Sequence, residues 1–342
     1  MLLVGGDPAL DRHDVGAGHP ERPPRVEAAL AGIEEAGLRD AVVHLEPRRA
    51  SEEELMRVHP APYLEALRAF CEAGGGNLDP DTVAVAGSWD TALLAAGAVL
   101  AAVDGLEQRA GEVAFVAARP PGHHALADQP MGFCLLNNVA VAAASLTARG
   151  ERVLVVDWDV HHGNGTQAIF WDDPAVLYVS THEWPLYPGT GRVEETGGPG
   201  APGLTVNIPL PAGATGNVLC HALDDVVAPV VERFAPTWVL VSAGYDAHRA
   251  DPLADLALTA GDFADLARRV RAFAPGPGRT AVVLEGGYDL DALRRSVGAT
   301  LASLMDGDYR PEHPSSGGPG AAAVEAALRV HVHDGCGGET AR

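Results

Sequence analysis

"RVLVVDWDVHHGNGT", residues 152–166, is an apolar, β-branched run that ends abruptly in two acids and two histidines. The run reads as a buried strand. Charge gathered at the lip of a buried strand is costly unless something binds it. Asp157, Asp159, His161 and His162 therefore mark a candidate site at the strand's carboxyl end.

Comparable runs recur at 113–118, 176–180, 204–208, 238–244 and 280–287. Between most of them lie segments with helical spacing, at 88–108, 137–150, 216–234 and 258–273. Alternation of this kind predicts an α/β fold, a single three-layer α/β/α domain with a mainly parallel central sheet. No repeat or linker divides the chain, so residues 1–333 read as one domain and 334–342 as a flexible C-terminal tail. Ser51 with Glu54 has the capping-box spacing of a short helix start. The Gly/Pro-rich stretch 187–203 reads as a long surface loop, and 307–320 as a break before a last helical segment.

Composition narrows the class. The 342 residues are 47% hydrophobic, enough for a large core. Forty-six acids face 24 basic residues, all arginine, for a formal charge of −22. That charge disfavours direct nucleic-acid binding. Cys71, Cys134, Cys220 and Cys336 stand far apart with no CxxC pair, so neither a disulfide framework nor a thiolate metal site is indicated. With no basic, signal-like N-terminus and apolar stretches broken by Gly, Pro or charge, the expectation is a cytoplasmic protein without a membrane partner.

Four strands are followed at once by chemistry-bearing residues: "RPPGHHA" with His123 and His124, "DWDVHHGNG", "GYDAH" with Asp246, and "GGYD" with Tyr288. In a parallel sheet such carboxyl ends share one edge. Asp159 and His161, two apart, point to one side of an extended chain, and Asp246 can join them from a neighbouring strand. Two carboxylates and one imidazole form a three-ligand set that leaves a catalytic metal an open position. His123, His124 and Tyr288 can supply a proton acceptor, a proton donor and an oxyanion stabiliser. Asp157 and Asn164 are suited to orient the imidazoles.

In the order "HPERPPR", "RPPGHHA", "GFCLLNN", "DWDVHHGNGT", "YPGTG", "SAGYDAHRADPL" and "LEGGYDL", the chain resembles the histone deacetylase and acetylpolyamine amidohydrolase superfamily, closest to its class II-like bacterial members. The resemblance implies an arginase-deacetylase-like catalytic domain. It makes Asp159, His161 and Asp246 zinc ligands, with iron(II) as the alternative ion in cells. By the same resemblance His124 is the general base and acid, and His123 its electrostatic partner. Asp157 then pairs with His123, Asn164 with His124, and Tyr288 with the substrate carbonyl. A structural potassium ion falls to Asp157, Asp159, His161, Ser180 and Thr181. Gly132, Phe133, Tyr187, Leu253, Gly286 and Gly287 match a substrate tunnel, and Arg25 an acetate channel.

The implied activity is removal of an acetyl or other acyl group from an acyl-lysine peptide or protein. The alternatives are an acetylpolyamine or other small N-acyl amine substrate, and a catalytically silent acyl-amine sensor. At Leu253, polyamine-preferring relatives carry an acid, so Leu there points to acyl-lysine. Arginase, the related fold, holds two ions with a D-x-H-x-D run. Gly163 and His248 stand here where further ligands would be needed, which points away from that branch.

Overall fold

The computed structural model describes residues 1–333 except 7–9, 11 and 17; the expected tail at 334–342, with Cys336, lies outside the described residues. Among the described residues, ten strands form in chain order: β1 Leu2–Gly5, β2 Val42–His44, β3 Gly75–Asn77, β4 Val83–Val85, β5 Val113–Val116, β6 Val153–Asp157, β7 Val176–Glu183, β8 Thr205–Leu210, β9 Trp238–Ala243 and β10 Thr280–Leu284. β3 and β4 make a small antiparallel hairpin. The other eight build one sheet in the order β2-β1-β5-β10-β9-β6-β7-β8, and each neighbouring pair in it is parallel.

The reason lies in the side chains. Val153, Leu154, Val155 and Val156 of β6 are at most 1% exposed, and every residue of β5, β9 and β10 is buried as well. A strand buried on both faces needs helices on both, which parallel crossovers provide. Pro24–Glu35 packs on Leu290–Leu304, which packs on Ala260–Phe273; Ser88–Glu107 packs on Asn138–Thr147 and on β1 and β5. Ser88–Glu107 is long and apolar enough to cross a membrane by length and composition, but most of that surface is covered by the protein itself.

The structure differs from the sequence expectation in two places. The helix expected over 216–234 is three pieces: Gly216–His221, a wider π-helical stretch Ala222–Val227, and Ala228–Phe234. Pro229 has no N–H for the residue four back, which accounts for the change of pitch before it. β1, β2, β3 and β4 add to the six strands expected from the sequence. Cys71, Cys134 and Cys220 are unpaired and buried.

Candidate active site

β5, β10, β9 and β6 are adjacent in the sheet, so the four chemistry-bearing loops leave from four neighbouring carboxyl ends. At the floor, one ligand atom from each of Asp159, His161 and Asp246 lies within 4.8 Å of the others. Both carboxylates are fully buried. Asp159 Oδ1 accepts from the His161 main-chain N–H at 2.9 Å and Oδ2 from that of Gly286 at 2.8 Å. Asp246 Oδ1 accepts from the Val160 N–H at 2.9 Å. Asp246 Oδ2, however, is buried without a hydrogen-bond partner; it stands 3.2 Å from His161 Nδ1 without hydrogen-bond geometry.

Burial, and then the charge of Asp159, pushes the Asp246 carboxyl up. An orphaned buried oxygen beside a like-charged neighbour and an imidazole is the donor arrangement a divalent cation satisfies. Gly286 supports the same reading by its closeness: a Cβ there would stand 2.0 Å from Asp246 Oδ2 and 2.7 Å from Asp159 Oδ2. Two oxygens and one nitrogen suit zinc or iron(II).

Beside this floor the His123 and His124 rings lie 4.0 Å apart. His123 Nδ1 donates to Asp157 Oδ2 at 3.0 Å, and its Nε2 is 3.8 Å from Asp159 Oδ1. Burial opposes its charge, but the Asp159 and Asp157 carboxylates outweigh burial and raise the imidazole's pKa. His124 behaves oppositely: burial, then the charges of His123 and His161, lowers it well below the usual range. Its Nδ1 donates to Asn164 Oδ1 at 2.8 Å, which leaves Nε2 as the acceptor of a neutral imidazole.

His124 and His161 line a cavity of about 200 Å³ with Gly132, Phe133, Leu186, Tyr187, Leu253, Tyr288 and Asp81. Tyr288 is nearly buried, and burial holds its phenol well above the ordinary value, so it stays a donor. The Tyr187 ring meets His124 edge-on at 5.1 Å, and the Phe133 ring meets Tyr288 at 5.9 Å. Phe133 holds φ +68°, a left-handed conformation rare for an aromatic residue, and its N–H donates to Thr82 Oγ1 at 3.1 Å. Strain of that kind persists only where the surroundings enforce it. Gly132 before it has no room for a side chain, since a Cβ would meet His124 Cδ2 at 2.4 Å.

The remaining expected residues fall around this centre. Asp157 stands opposite Ser180 in the β6–β7 ladder, with Thr181 next; all three are buried. Arg25 is fully buried behind the cavity: its guanidinium lies 4.8 Å from the Tyr288 ring centre, and it donates to the Gly287 carbonyl at 2.7 Å and to that of Glu285. Gly287 lies beneath Tyr288 at φ +115°. His162 is spent elsewhere, its nitrogens on Thr190 Oγ1 and Gln167 Oε1, both at 2.8 Å. His248 Nε2 pairs with Glu312 at 2.7 Å.

Three residues escaped the sequence reading. Asp81, on the rim, sits in "LDPDT", which reads as a turn. Glu285 is a buried carboxylate accepting from the N–H groups of Gly122 and His123 at 2.6 and 3.1 Å, so β10 fixes the loop that carries the histidine pair. Its signal was the one used at β6, an acid closing an apolar run. Asp251 lay inside a quoted motif without a role.

Residues 19–304 match the family described as the histone deacetylase domain. A probable deacetylase of Archaeoglobus fulgidus is 42% identical over 301 residues, covering 86% of this chain and 84% of that protein. A histone deacetylase-like amidohydrolase of Pseudomonas aeruginosa is 41% identical over 277 residues, 80% of this chain and 73% of its own length. Among solved structures, the crystal structure of the HDA15 HD domain superposes with a TM-score of 0.89 at 34% identity, covering 97% of this chain and 96% of that one.

Proposed function

The chain belongs to the histone deacetylase family, and from that premise we propose that it is a zinc-dependent amidohydrolase that removes acetyl or another acyl group from an acylated amine, acyl-lysine above all. The observation that carries the proposal is the meeting, around one narrow cavity, of the three-ligand cluster, the open Nε2 of His124 and the Tyr288 phenol. Asp159, His161 and Asp246 hold the ion. When bound, it acidifies a water molecule and polarises the acyl carbonyl.

The chain's own residues do the rest. Neutral His124 takes a proton from the attacking water on Nε2 and returns it to the leaving amine. Asn164 keeps that imidazole in the required tautomer, with the proton on Nδ1. His123, held charged by Asp157, offsets negative charge growing beside it. Tyr288 donates to the acyl oxygen as it becomes an oxyanion. Phe133 and Tyr187 sheathe the aliphatic stem of the substrate. Asp157, Asp159, His161, Ser180 and Thr181 hold a structural potassium ion, for which the buried pairing of Asp157 with Ser180 is the support. Arg25 borders the exit of the released acid. Residues 1–333 act as a single catalytic domain, in a reducing cytoplasm that suits three unpaired cysteines.

Leu253 on the rim favours acyl-lysine over acetylpolyamine; the Asp81 carboxylate on the same rim is what supports the polyamine reading. The deciding experiment is one preparation, assayed with zinc and with iron(II), against acyl-lysine peptides and acetylspermidine. Wild type prefers the peptides. Leu253→Glu moves the kcat/KM ratio about tenfold toward the polyamine, since a carboxylate at a partly desolvated rim favours a second ammonium. Wild-type preference for acetylspermidine, or an unmoved ratio, refutes the assignment of Leu253.

A further inference from the structure

We propose that Asp251 is a positioning residue, which sets the Tyr288 phenol in place and ties the rim at Leu253 to it. The proposal rests on the reading of Tyr288 as oxyanion donor. Asp251 is 7% exposed and lies in the loop after β9, five residues past the ligand Asp246. Its Oδ2 accepts from the N–H of Tyr288 at 2.7 Å and more weakly from that of Asp289 at 3.4 Å. Its Oδ1 accepts from the N–H of Leu253 at 3.0 Å. One carboxylate thus bridges a floor element and a rim element, and the side chains of Tyr288 and Leu253 line the same cavity.

Tyr288 needs such a tie. It follows Gly286 and Gly287, a pair with little conformational preference of its own, and Gly287 already holds φ +115°. Arg25 grips the carbonyls of Glu285 and Gly287 from behind. Asp251 grips the next amide from the front, just before Asp289 caps the helix Leu290–Leu304 through the Ala292 N–H at 2.8 Å.

The chemistry of the tie is unusual. A buried carboxylate commonly has a cation beside it, yet the hydrogen bonds of Asp251 are to main-chain N–H groups. Burial, followed by the charge of Asp246, pushes its pKa up to about 7. Such an arrangement is unfavourable for packing alone. What a carboxylate offers here is two acceptor oxygens aimed at two segments, where an Asn amide offers one acceptor and a donor that opposes the second N–H.

The test is a double-mutant cycle on the full-length, metal-loaded protein with an acyl-lysine peptide: wild type, Asp251→Asn, Tyr288→Phe and the double variant. Asp251→Asn lowers kcat about 10- to 100-fold, the scale of misplacing a catalytic group by about an ångström, with KM within about threefold and one bound metal retained. In the Tyr288→Phe background the same substitution lowers kcat less than about threefold, because the group it positions is gone. It also moves the acyl-lysine to acetylspermidine ratio, through Leu253. Equal losses in both backgrounds, or an unchanged kcat, overturn the proposal. An unchanged kcat in Tyr288→Phe itself sinks the reading of Tyr288 and this proposal with it; a normal loss there combined with equal Asp251 effects sinks this one only. Should Asp251→Asn not fold, Asp251→Ser, which keeps a single acceptor, carries the same comparison.

Discussion

The loop after β5 and the loop after β6 each carry a His-His dipeptide, and the two pairs come to different ends. In both, neighbouring carboxylates raise the first imidazole against the effect of burial, and burial lowers the second. The electrostatics match, but the hydrogen-bond partners do not. His124 keeps Nε2 open to the cavity because only Nδ1 is engaged, by Asn164. His162 has both nitrogens engaged, by Thr190 and Gln167. His123 donates to Asp157, whereas His161 turns Nδ1 toward Asp159 Oδ1 at 3.1 Å and the orphaned Asp246 Oδ2 at 3.2 Å. On the proposed function, the partner at each ring nitrogen, rather than the pKa shift or the dipeptide, decides which imidazole does chemistry.

The largest expected effect tests the His161 side. Asp246→Ala removes one of three ligands, so the protein loses both bound metal, measured by elemental analysis, and hydrolysis; near-normal activity in a metal-free preparation breaks the assignment. Next comes the contrast between the pairs. His124→Ala keeps the metal and lowers kcat by about 10²- to 10⁴-fold, the usual range for a general acid–base group. His162→Ala leaves kcat far less affected, but lowers stability by about 1–3 kcal/mol through its lost hydrogen bonds, read from denaturant midpoints. Reversal of those two outcomes would mean that the loops have been read the wrong way round.

A smaller effect sharpens the comparison at a single atom. Asn164→Ala frees the Nδ1 proton of His124 and lets the wrong tautomer form, so kcat falls about tenfold while metal content stays at one per chain. The smallest effect lies outside the site, at His59. Its Nδ1 donates to the Ala127 carbonyl at 2.9 Å and its Nε2 accepts from the Asn137 N–H at 3.0 Å, so the fold needs it neutral. Burial, despite the Ala127 carbonyl, lowers its pKa to about 4 from an ordinary 6.5. As pH falls below 6.5, the unfolded chain takes up a proton that the fold refuses. Stability therefore declines between those two values, by at most about 1.4 kcal/mol per pH unit from this group, and levels off below the lower one. His59→Gln makes that decline shallower; an unchanged slope in urea titrations across the window counts against the account.

These contrasts also mark what the sequence could reveal. That Asp159, His161, Asp246, His124 and Tyr288 gather at one edge of the sheet was legible because charge at the end of an apolar run is improbable without a purpose. The capping box at Ser51 was legible because it is local: Ser51 N–H reaches Glu54 Oε2 at 2.8 Å and Glu54 N–H reaches Ser51 Oγ at 3.3 Å. Strand order was not legible, since nothing in a β-branched run names its neighbour. That β5, β10, β9 and β6 stand side by side is a property of the folded sheet. β1 was hidden because its four residues resemble any short apolar run, and β2 because it is an exposed edge of three. Asp81 and Asp251 stayed hidden because a loop acid looks the same in sequence whether it faces solvent, lines a cavity or holds main-chain N–H groups.

Gly286 sets a limit on how this protein can change. With Asp246 Oδ2 only 2.0 Å from where a Cβ would sit, no other residue fits without displacing a carboxylate of the Asp159–His161–Asp246 group. A side chain at position 286 therefore moves Asp246 or Asp159 out of the arrangement described above. Leu186, Tyr187 and Leu253, at the open end of the same cavity, are partly exposed and carry no such restriction. Substitutions at the mouth thus meet fewer packing constraints than a substitution at Gly286 does.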